Sequence, residues 1–310
     1  MKPIIGITQG EPTGIGPEII AKSLQKSSLF RFCTPIVIGE PKYFRSLQKK
    51  VTIIPPLAAH SSSYGALTQA SRLCLEKKID AIVTAPVDKQ RVSKEEGLVF
   101  LGHTEFFKKM CEKQFNHSFH STMFFISPKE KLALVTTHLP LKKVSGALSK
   151  DVIQKTLLNV HLGLGALFKI RAPKLALLGL NPHAGEEGLL GQEEVRILKP
   201  AIQWARQQRI CVEGPFSADS FFSNRWQLFD ATIALYHDQG LGPFKARNFH
   251  SSTNITLGLP IIRTSVDHGV GYDIAGKNKA SPLSMIAAIE WAIQLAKHKR
   301  SLPWGQNNLL

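Results

Sequence analysis

Three histidines of this 310-residue chain each stand just beyond an apolar, strand-like run. Residues 131–137 precede His138, residues 174–182 precede His183, and residues 231–236 precede His237. In open α/β sheets, ligands bind outside the carboxyl ends of the strands. Three imidazoles delivered to such an edge would make a metal site with one coordination position left open, which is the catalytic pattern rather than the structural one. The neighbours suit a ligand-lined edge: Thr136 and Thr137, Asn181 and Pro182, Gly185 and Glu186, Asp238, Gln239 and Gly240. Carboxylates among them are suited to orient imidazoles. A single histidine at a strand end is more often a hydrogen-bonded polar residue than a ligand, so the metal reading rests on the recurrence.

Other residues point to an anionic ligand. Gly102-His103-Thr104-Glu105 precedes a helical run; Thr104 reads either as an N-cap or, with His103, as a grip on a polar substrate. Lys245, Asn254 and Arg263 follow His237 at intervals compatible with return to one pocket, and Lys and Arg suit phosphate or carboxylate, Arg through a bidentate fork; taken singly, Lys245 and Arg263 read instead as surface cations. The stretch Thr8-Gln9-Gly10-Glu11-Pro12-Thr13-Gly14-Ile15-Gly16-Pro17 lies between the first strand and the first helix. Its glycines permit tight turns, and a helix N-terminus favours anions. It matches neither the Rossmann fingerprint nor the P-loop, so a plain strand-to-helix turn stands beside a nucleotide or substrate role.

The elements that must position these groups alternate along the chain. Strands are expected at 3–8, 35–39, 80–84, 132–136, 174–180, 231–236 and 254–259, with the continuous apolar character of strands covered on both faces. Helices are expected at 17–24, 65–76, 105–113, 150–162, 193–207 and 282–297. In the last, Ser281 is expected to cap, Pro282 to take the first turn, and Ile286, Ile289 and Ile293 to form one stripe. Residues 60–63 read as a surface loop. The pattern is that of an α/β fold.

Composition narrows the class. Hydrophobic residues at 43% and charged residues at 20% describe an ordinary globular protein. No apolar stretch reaches a membrane span, and Met1-Lys2-Pro3 leads straight into a strand, so neither a membrane nor a secretory role is expected. Cys33, Cys74, Cys111 and Cys211 lie far apart, as reduced, mostly structural thiols of a cytoplasmic protein do. The formal net charge is +16. Apart from short clusters such as Lys297-His298-Lys299-Arg300 the charge is dispersed, without a nucleic-acid-binding motif. It therefore reads as solvation and attraction for anionic substrates.

The ordered motifs resemble the 4-hydroxythreonine-4-phosphate dehydrogenase family of pyridoxal phosphate biosynthesis, nearly end to end. The resemblance rests on Gly10-Glu11-Pro12-x-Gly14-Ile15-Gly16-Pro17, Gly102-His103-Thr104-Glu105, Thr137-His138-Leu139-Pro140, residues 179–186 (Gly-Leu-Asn-Pro-His-Ala-Gly-Glu), Tyr236-His237-Asp238-Gln239-Gly240, residues 254–260 and Arg263-Thr264-Ser265-x-Asp267-His268-Gly269. It implies a two-lobed, mixed-sheet fold similar to isocitrate and isopropylmalate dehydrogenases, which bind NAD without a Rossmann fingerprint. Residues 1–100 with 255–310 would form the nucleotide-side lobe, and 101–254 the metal- and substrate-side lobe. It further implies a divalent metal on His138, His183 and His237, one of them from the partner subunit of a homodimer, with the family's pattern pointing to His237. Substrate contacts carry over onto His103, Thr104, Lys245, Asn254 and Arg263.

The implied reaction is metal-dependent, NAD- or NADP-linked oxidation of 4-phosphohydroxy-L-threonine to 2-amino-3-oxo-4-phosphooxybutanoate, which decarboxylates to 3-amino-2-oxopropyl phosphate. Asp238 and Lys245 are the candidate proton acceptors. Zinc suits the imidazoles, with magnesium, cobalt and manganese as alternatives. Cofactor-binding residues are not identifiable from sequence. Where the family usually reads His-Gly-Thr-Ala and Gly-Lys-Gly-Lys-Ala-Asp, this chain has His268-Gly269-Val270-Gly271 and Gly276-Lys277-Asn278-Lys279-Ala280-Ser281; the stretch around 51–66 also looks shortened. A dehydrogenase of phosphorylated four-carbon sugar acids is the near alternative. A metal-dependent hydrolase using the three histidines, and a basic nucleic-acid-binding protein, are the distant ones.

Overall fold

The computed structural model describes residues 2–26, 28–248 and 251–298. Along the chain the strands are β1 (Ile4–Thr8), β2 (Thr34–Ile38), β3 (Thr52–Ile54), β4 (Ala81–Thr84), β5 (Thr122–Ile126) and β6 (Lys131–Leu134). They continue with β7 (Lys174–Leu178), β8 (Cys211–Phe216), β9 (Ala231–Ala234), β10 (Thr253–Leu257) and β11 (Arg263–Ser265). The principal helices are α1 (Gly16–Gln25), α2 (Ser62–Leu75), α3 (Lys89–Glu96), α4 (His103–Phe115), α5 (Lys150–Phe168), α6 (Lys199–Gln207), α7 (His237–Asn248) and α8 (Leu283–His298).

The chain divides into two compact units, one holding the described residues up to Phe119 and from 251 onward, the other those from His120 to 248. The first carries strands in the order β3-β2-β1-β4-β11-β10, parallel except for the antiparallel β10–β11 pair. The second carries β5-β6-β9-β7-β8, parallel except for the antiparallel β5–β6 pair. Each is thus a mixed sheet of an α/β fold.

Cores form where the strand runs are apolar throughout. In the first unit Ile38, Ile82, Phe106 and Phe107 pack with Leu67, Leu259 and Ile261. In the second, Phe125, Leu132, Leu178, Phe221 and Phe244 form the cluster beneath the histidine-bearing edge. Full burial of such a side chain contributes about 1.5–3 kcal/mol. Helix ends follow their residues. Asp88 caps α3 by accepting from the N–H groups of Gln90 and Arg91, and the helix ends at left-handed Gly97. Ser149 caps α5 by accepting from Val152 N–H.

Several expectations are corrected. Ser62 and Ser63 open α2 instead of lying in a surface loop, and Ser63 is buried. The strand runs end two residues early at β6, β7 and β9, because the polar and turn-forming residues there leave the ladder. At α8, Ser281 Oγ accepts from Leu283 N–H at 3.4 Å, which places Pro282 in the cap position. Its buried residues are Met285, Ala288, Ile289, Ala292, Ile293, Leu295 and Ala296, with Ile286 only half-buried. Cys211 is exposed while the other three cysteines are buried. Lys299 and Arg300 of the C-terminal basic cluster lie outside the described residues.

Asn159 on α5 ties that helix to β5: its amide donates to His120 O at 2.5 Å and, shielded from water, to Thr122 Oγ1 at 3.0 Å. Asn159→Ala leaves the buried Thr122 hydroxyl without this donor, so unfolding free energy should fall by about 1–3 kcal/mol, measurable as a lower urea midpoint. An unchanged midpoint would show that the tie is dispensable.

Candidate active site

In the second unit, parallel pairing of β6 with β9 and of β9 with β7 points three carboxyl ends the same way. His138 follows β6, His237 opens α7 directly after β9, and His183 follows β7. Four hydrogen bonds, made by Thr136 and Gln239, hold these ends together. Thr136 donates from both its N–H and its hydroxyl to Leu235 O, at 3.1 and 2.7 Å. Gln239 Oε1 accepts from Leu235 N–H at 2.7 Å while its Nε2 donates to Gly179 O at 2.6 Å. The Gln239 side chain therefore spans from the end of β9 to the end of β7.

The rings of His138 and His237 lie 5.9 Å apart, centroid to centroid, at 43°. His237 Nδ1 is 2.7 Å from Asp238 Oδ1, which leaves Nε2 as the nitrogen free to ligate. His183 sits in an unusual turn: His183, Ala184, Gly185, Glu186 and Glu187 all have positive φ. A left-handed residue other than glycine costs about 1–2 kcal/mol, so the turn must be held from outside. The buried carboxylate of Glu194 does this, accepting from Leu180 N–H at 2.7 Å and Asn181 N–H at 2.8 Å through Oε1. Oε2 accepts from Asn181 Nδ2 at 2.9 Å. Glu186, which the sequence offered as a supporting carboxylate, belongs to the turn itself. Among the described residues, no group of three or more His, Cys, Asp or Glu side chains could hold a metal ion within one chain. Of the three imidazoles, those of His138 and His237 form a ring pair within the chain. Lys245 lies on α7, half-buried.

In the first unit, α4 begins at His103 with Gly102 at the cap position and no side chain capping it. Thr104 is buried in the first turn, without the capping role the sequence allowed it. His103 Nε2 is shut off from solvent without a hydrogen-bond partner. Burial holds the imidazole pKa well below its ordinary value, reinforced by the nearby Arg263 and Lys89 cations. Arg263, only 3% exposed, donates to Thr84 Oγ1 at 2.9 and 3.2 Å and to Thr256 Oγ1 at 3.4 Å. Burial pushes its pKa down to about 9, against the opposing charge of Glu105, so it stays cationic at neutral pH. Asn254 Oδ1 is likewise buried without a partner. Lys89, Thr84, Thr256 and Glu194 are absent from the sequence-derived set. Each acts through a distant partner, so local spacing carries no signal for them.

The Gly10–Gly16 stretch is accounted for by close packing. A Cβ on Gly10, whose φ is +72°, would stand 2.3 Å from Pro86 O, and one on Gly14 would stand 2.7 Å from Val270 O. Ile15 N–H donates to Val270 O at 2.9 Å. Lys22 Nζ donates to the carbonyls of Asn278 and Ala280, and Glu18 accepts from Ala280 N–H.

The model of pyridoxal phosphate biosynthetic protein PdxA matches residues 56–292. The chain belongs to the PdxA family. It is 38% identical to 4-hydroxythreonine-4-phosphate dehydrogenase of Bacteroides thetaiotaomicron over 96% of this chain and 89% of that protein. It is 39% identical to a putative D-threonate 4-phosphate dehydrogenase of Oceanobacillus iheyensis, over 96% of this chain and 99% of that one. The crystal structure of 4-hydroxythreonine-4-phosphate dehydrogenase from Klebsiella pneumoniae superposes with a TM-score of 0.81 at 32% identity, covering 96% and 98% of the two chains. Isocitrate dehydrogenase from Methylococcus capsulatus shares the fold, with a TM-score of 0.52 at 12% identity over 96% and 87%. The chain is therefore a PdxA-family oxidoreductase, which sets aside the hydrolase and nucleic-acid readings. No helix among the described residues is long and apolar enough to cross a membrane.

His103 titrates with a clear sign. Its folded pKa lies below the unfolded value of roughly 6.5, so the stability carried by the neutral ring is present above that pH and is lost as pH falls below it. Thermal melts from pH 7.5 to 5 should show Tm falling more steeply for the wild type than for His103→Leu. Parallel curves would show that His103 does not couple protonation to folding.

Proposed function

We propose that the chain oxidises 4-phosphohydroxy-L-threonine with NAD or NADP, giving 2-amino-3-oxo-4-phosphooxybutanoate, which loses carbon dioxide to form 3-amino-2-oxopropyl phosphate in the cytoplasmic route to pyridoxal phosphate. The observation that carries the reading is Arg263. A buried guanidinium whose hydrogen bonds among the described residues go to threonine hydroxyls, and to no carboxylate, keeps its charge for an incoming anion. The His103 Nε2 and Asn254 Oδ1 atoms, both buried and unpartnered, support assigning them with Thr104 to the polar groups of the substrate. Phosphorylated four-carbon sugar acids present the same anions, and the 39% identity to a putative D-threonate 4-phosphate dehydrogenase favours them as the second reading.

The chemistry calls for a divalent ion, and the residues fit one. Imidazole rings 5.9 Å apart are close enough to share an ion held at about 2.0–2.1 Å from each nitrogen. His138, His183 and His237 would hold it, zinc being well suited to imidazole, with magnesium, cobalt or manganese as alternatives. Such an ion, when bound, supplies the positive charge that acidifies a secondary hydroxyl and stabilises the oxyanion of a decarboxylating β-keto acid. Asp238 orients the His237 ring through Nδ1. Lys245 is then the group assigned to accept the hydroxyl proton, with hydride passing to the nicotinamide.

The ring pair of His138 and His237 within one chain, together with the family resemblance, supports a homodimer in which a second copy helps to complete the three-imidazole set. Exposed Leu139, Leu141, Leu189 and Leu190 flank His138 and His183 and suit burial against that copy.

Metal-loaded protein should reduce NAD or NADP with 4-phosphohydroxy-L-threonine faster than with phosphorylated sugar acids. The reverse order would transfer the assignment to the second reading, and reduction with neither would overturn both. Arg263→Lys keeps the charge but loses the fork, so kcat/KM should fall by about tenfold or more, near 1.4 kcal/mol. For the shared site, mixtures of inactive variants are decisive. Recovery from His138→Ala with His237→Ala identifies His237 as the crossing ligand, the family's pattern. Recovery from His138→Ala with His183→Ala identifies His183, which the proximity of the other two favours. One of the two mixtures should regain activity; recovery in neither would end the shared-site reading.

A further inference from the structure

We propose that Glu194 is a positioning residue, whose carboxylate fixes the turn presenting His183 and thereby sets metal affinity. This rests on the reading of His183 as a ligand. Glu194 is 1% exposed, and the three donors described above approach it from the entry to the turn, at Leu180 and Asn181. The carboxylate also lies against both flanks. A Cβ on Gly179 would stand 3.3 Å from Oε1, and one on Gly185 2.6 Å from Oε2. Glu194 itself opens a π-helical segment, Glu194–Leu198, that runs into α6. Such wide turns recur at functional sites, and here the segment seats the carboxylate at the base of the turn.

The turn has little reason to exist for the core. Pro182, His183, Glu186 and Glu187 are exposed, and four non-glycine residues in the run adopt the left-handed conformation. Backbone of this kind persists only where surroundings over-determine it. Glu194 is the buried group that does so, and its beneficiary is the orientation of His183. A group that orients a ligand without touching the metal changes affinity more than it changes the fold.

Cobalt(II), titrated into the full-length metal-free protein and followed by its d–d absorption, tests this without turnover. Glu194→Gln keeps an oxygen for the two backbone donors but sets an NH2 group against Asn181 Nδ2. Cobalt affinity should fall about ten- to hundredfold with an altered spectrum. Asn159→Ala, which destabilises the same unit away from the turn, should leave affinity within about twofold. Asn181→Ala removes one bond to Glu194 and serves if Glu194→Gln does not fold; it should weaken binding by about threefold or more. Wild-type affinity and spectrum in a folded variant would overturn the proposal while leaving the metal reading intact, provided His183→Ala loses cobalt. Binding unaffected by His183→Ala would instead overturn the metal reading, and this proposal with it.

Discussion

Parallel pairing of β6, β9 and β7 is the constraint from which the rest of the second unit follows. Parallel strands put every carboxyl end on one edge, and their evenly spaced ladder keeps those ends level. Past the last ladder residues the backbone loses its partners, and side chains take over the hydrogen bonds. Thr136 and Gln239 are the residues that do so, and both are anchored on Leu235 or Gly179, at the points where the chain turns away towards a histidine. Without those bridges the three segments would leave the sheet as independent loops. With them, each imidazole starts from a fixed backbone position.

That constraint also explains what was legible in the sequence. The apolar runs before His138, His183 and His237 announce strands covered on both faces, and the polar residues after them announce the edge. The supports were not legible, because a carboxylate that stabilises a turn 14 residues earlier leaves no periodicity. Strands β5 and β8 were missed for different reasons. The run of β5 is wholly buried and too short for periodicity to tell it from a helical segment, whereas β8 contains Gly214-Pro215, which argues against a central strand. Helix α7 was hidden by two glycines and Pro243, which local propensity reads as breakers; packing of Leu241 and Phe244 into the core overrides them.

In the first unit the organising problem is electrostatic. Arg263 and the Nε2 atom of His103 are withdrawn from water in the same unit, and the answer differs for each: the guanidinium keeps its charge on threonine hydroxyls, and the imidazole stays neutral. One donor fork and one neutral ring suit a ligand carrying both an anionic group and ordinary hydroxyl or amine functions. The overall charge of +16 adds long-range attraction for anions, but it is these two buried groups that impose geometry.

The departures from the family's usual residues at 270–281 take on a physical meaning in this setting. Asn278, where glycine is usual, has φ +56°, a conformation that asparagine tolerates better than other residues with a side chain. Gly271, where alanine is usual, has φ +57° and packs so closely on Ile15 that a Cβ would approach it to 3.1 Å. Val270 presents its carbonyl, not its side chain, to Ile15 N–H. Lys22 likewise grips carbonyl oxygens of Asn278 and Ala280. The loop is held to α1 and the segment before it through its backbone atoms, contacts that do not use the side chains at 270, 278 and 280. What the departures alter is the side-chain surface of the loop, where a change of ligand preference can arise without a change of fold.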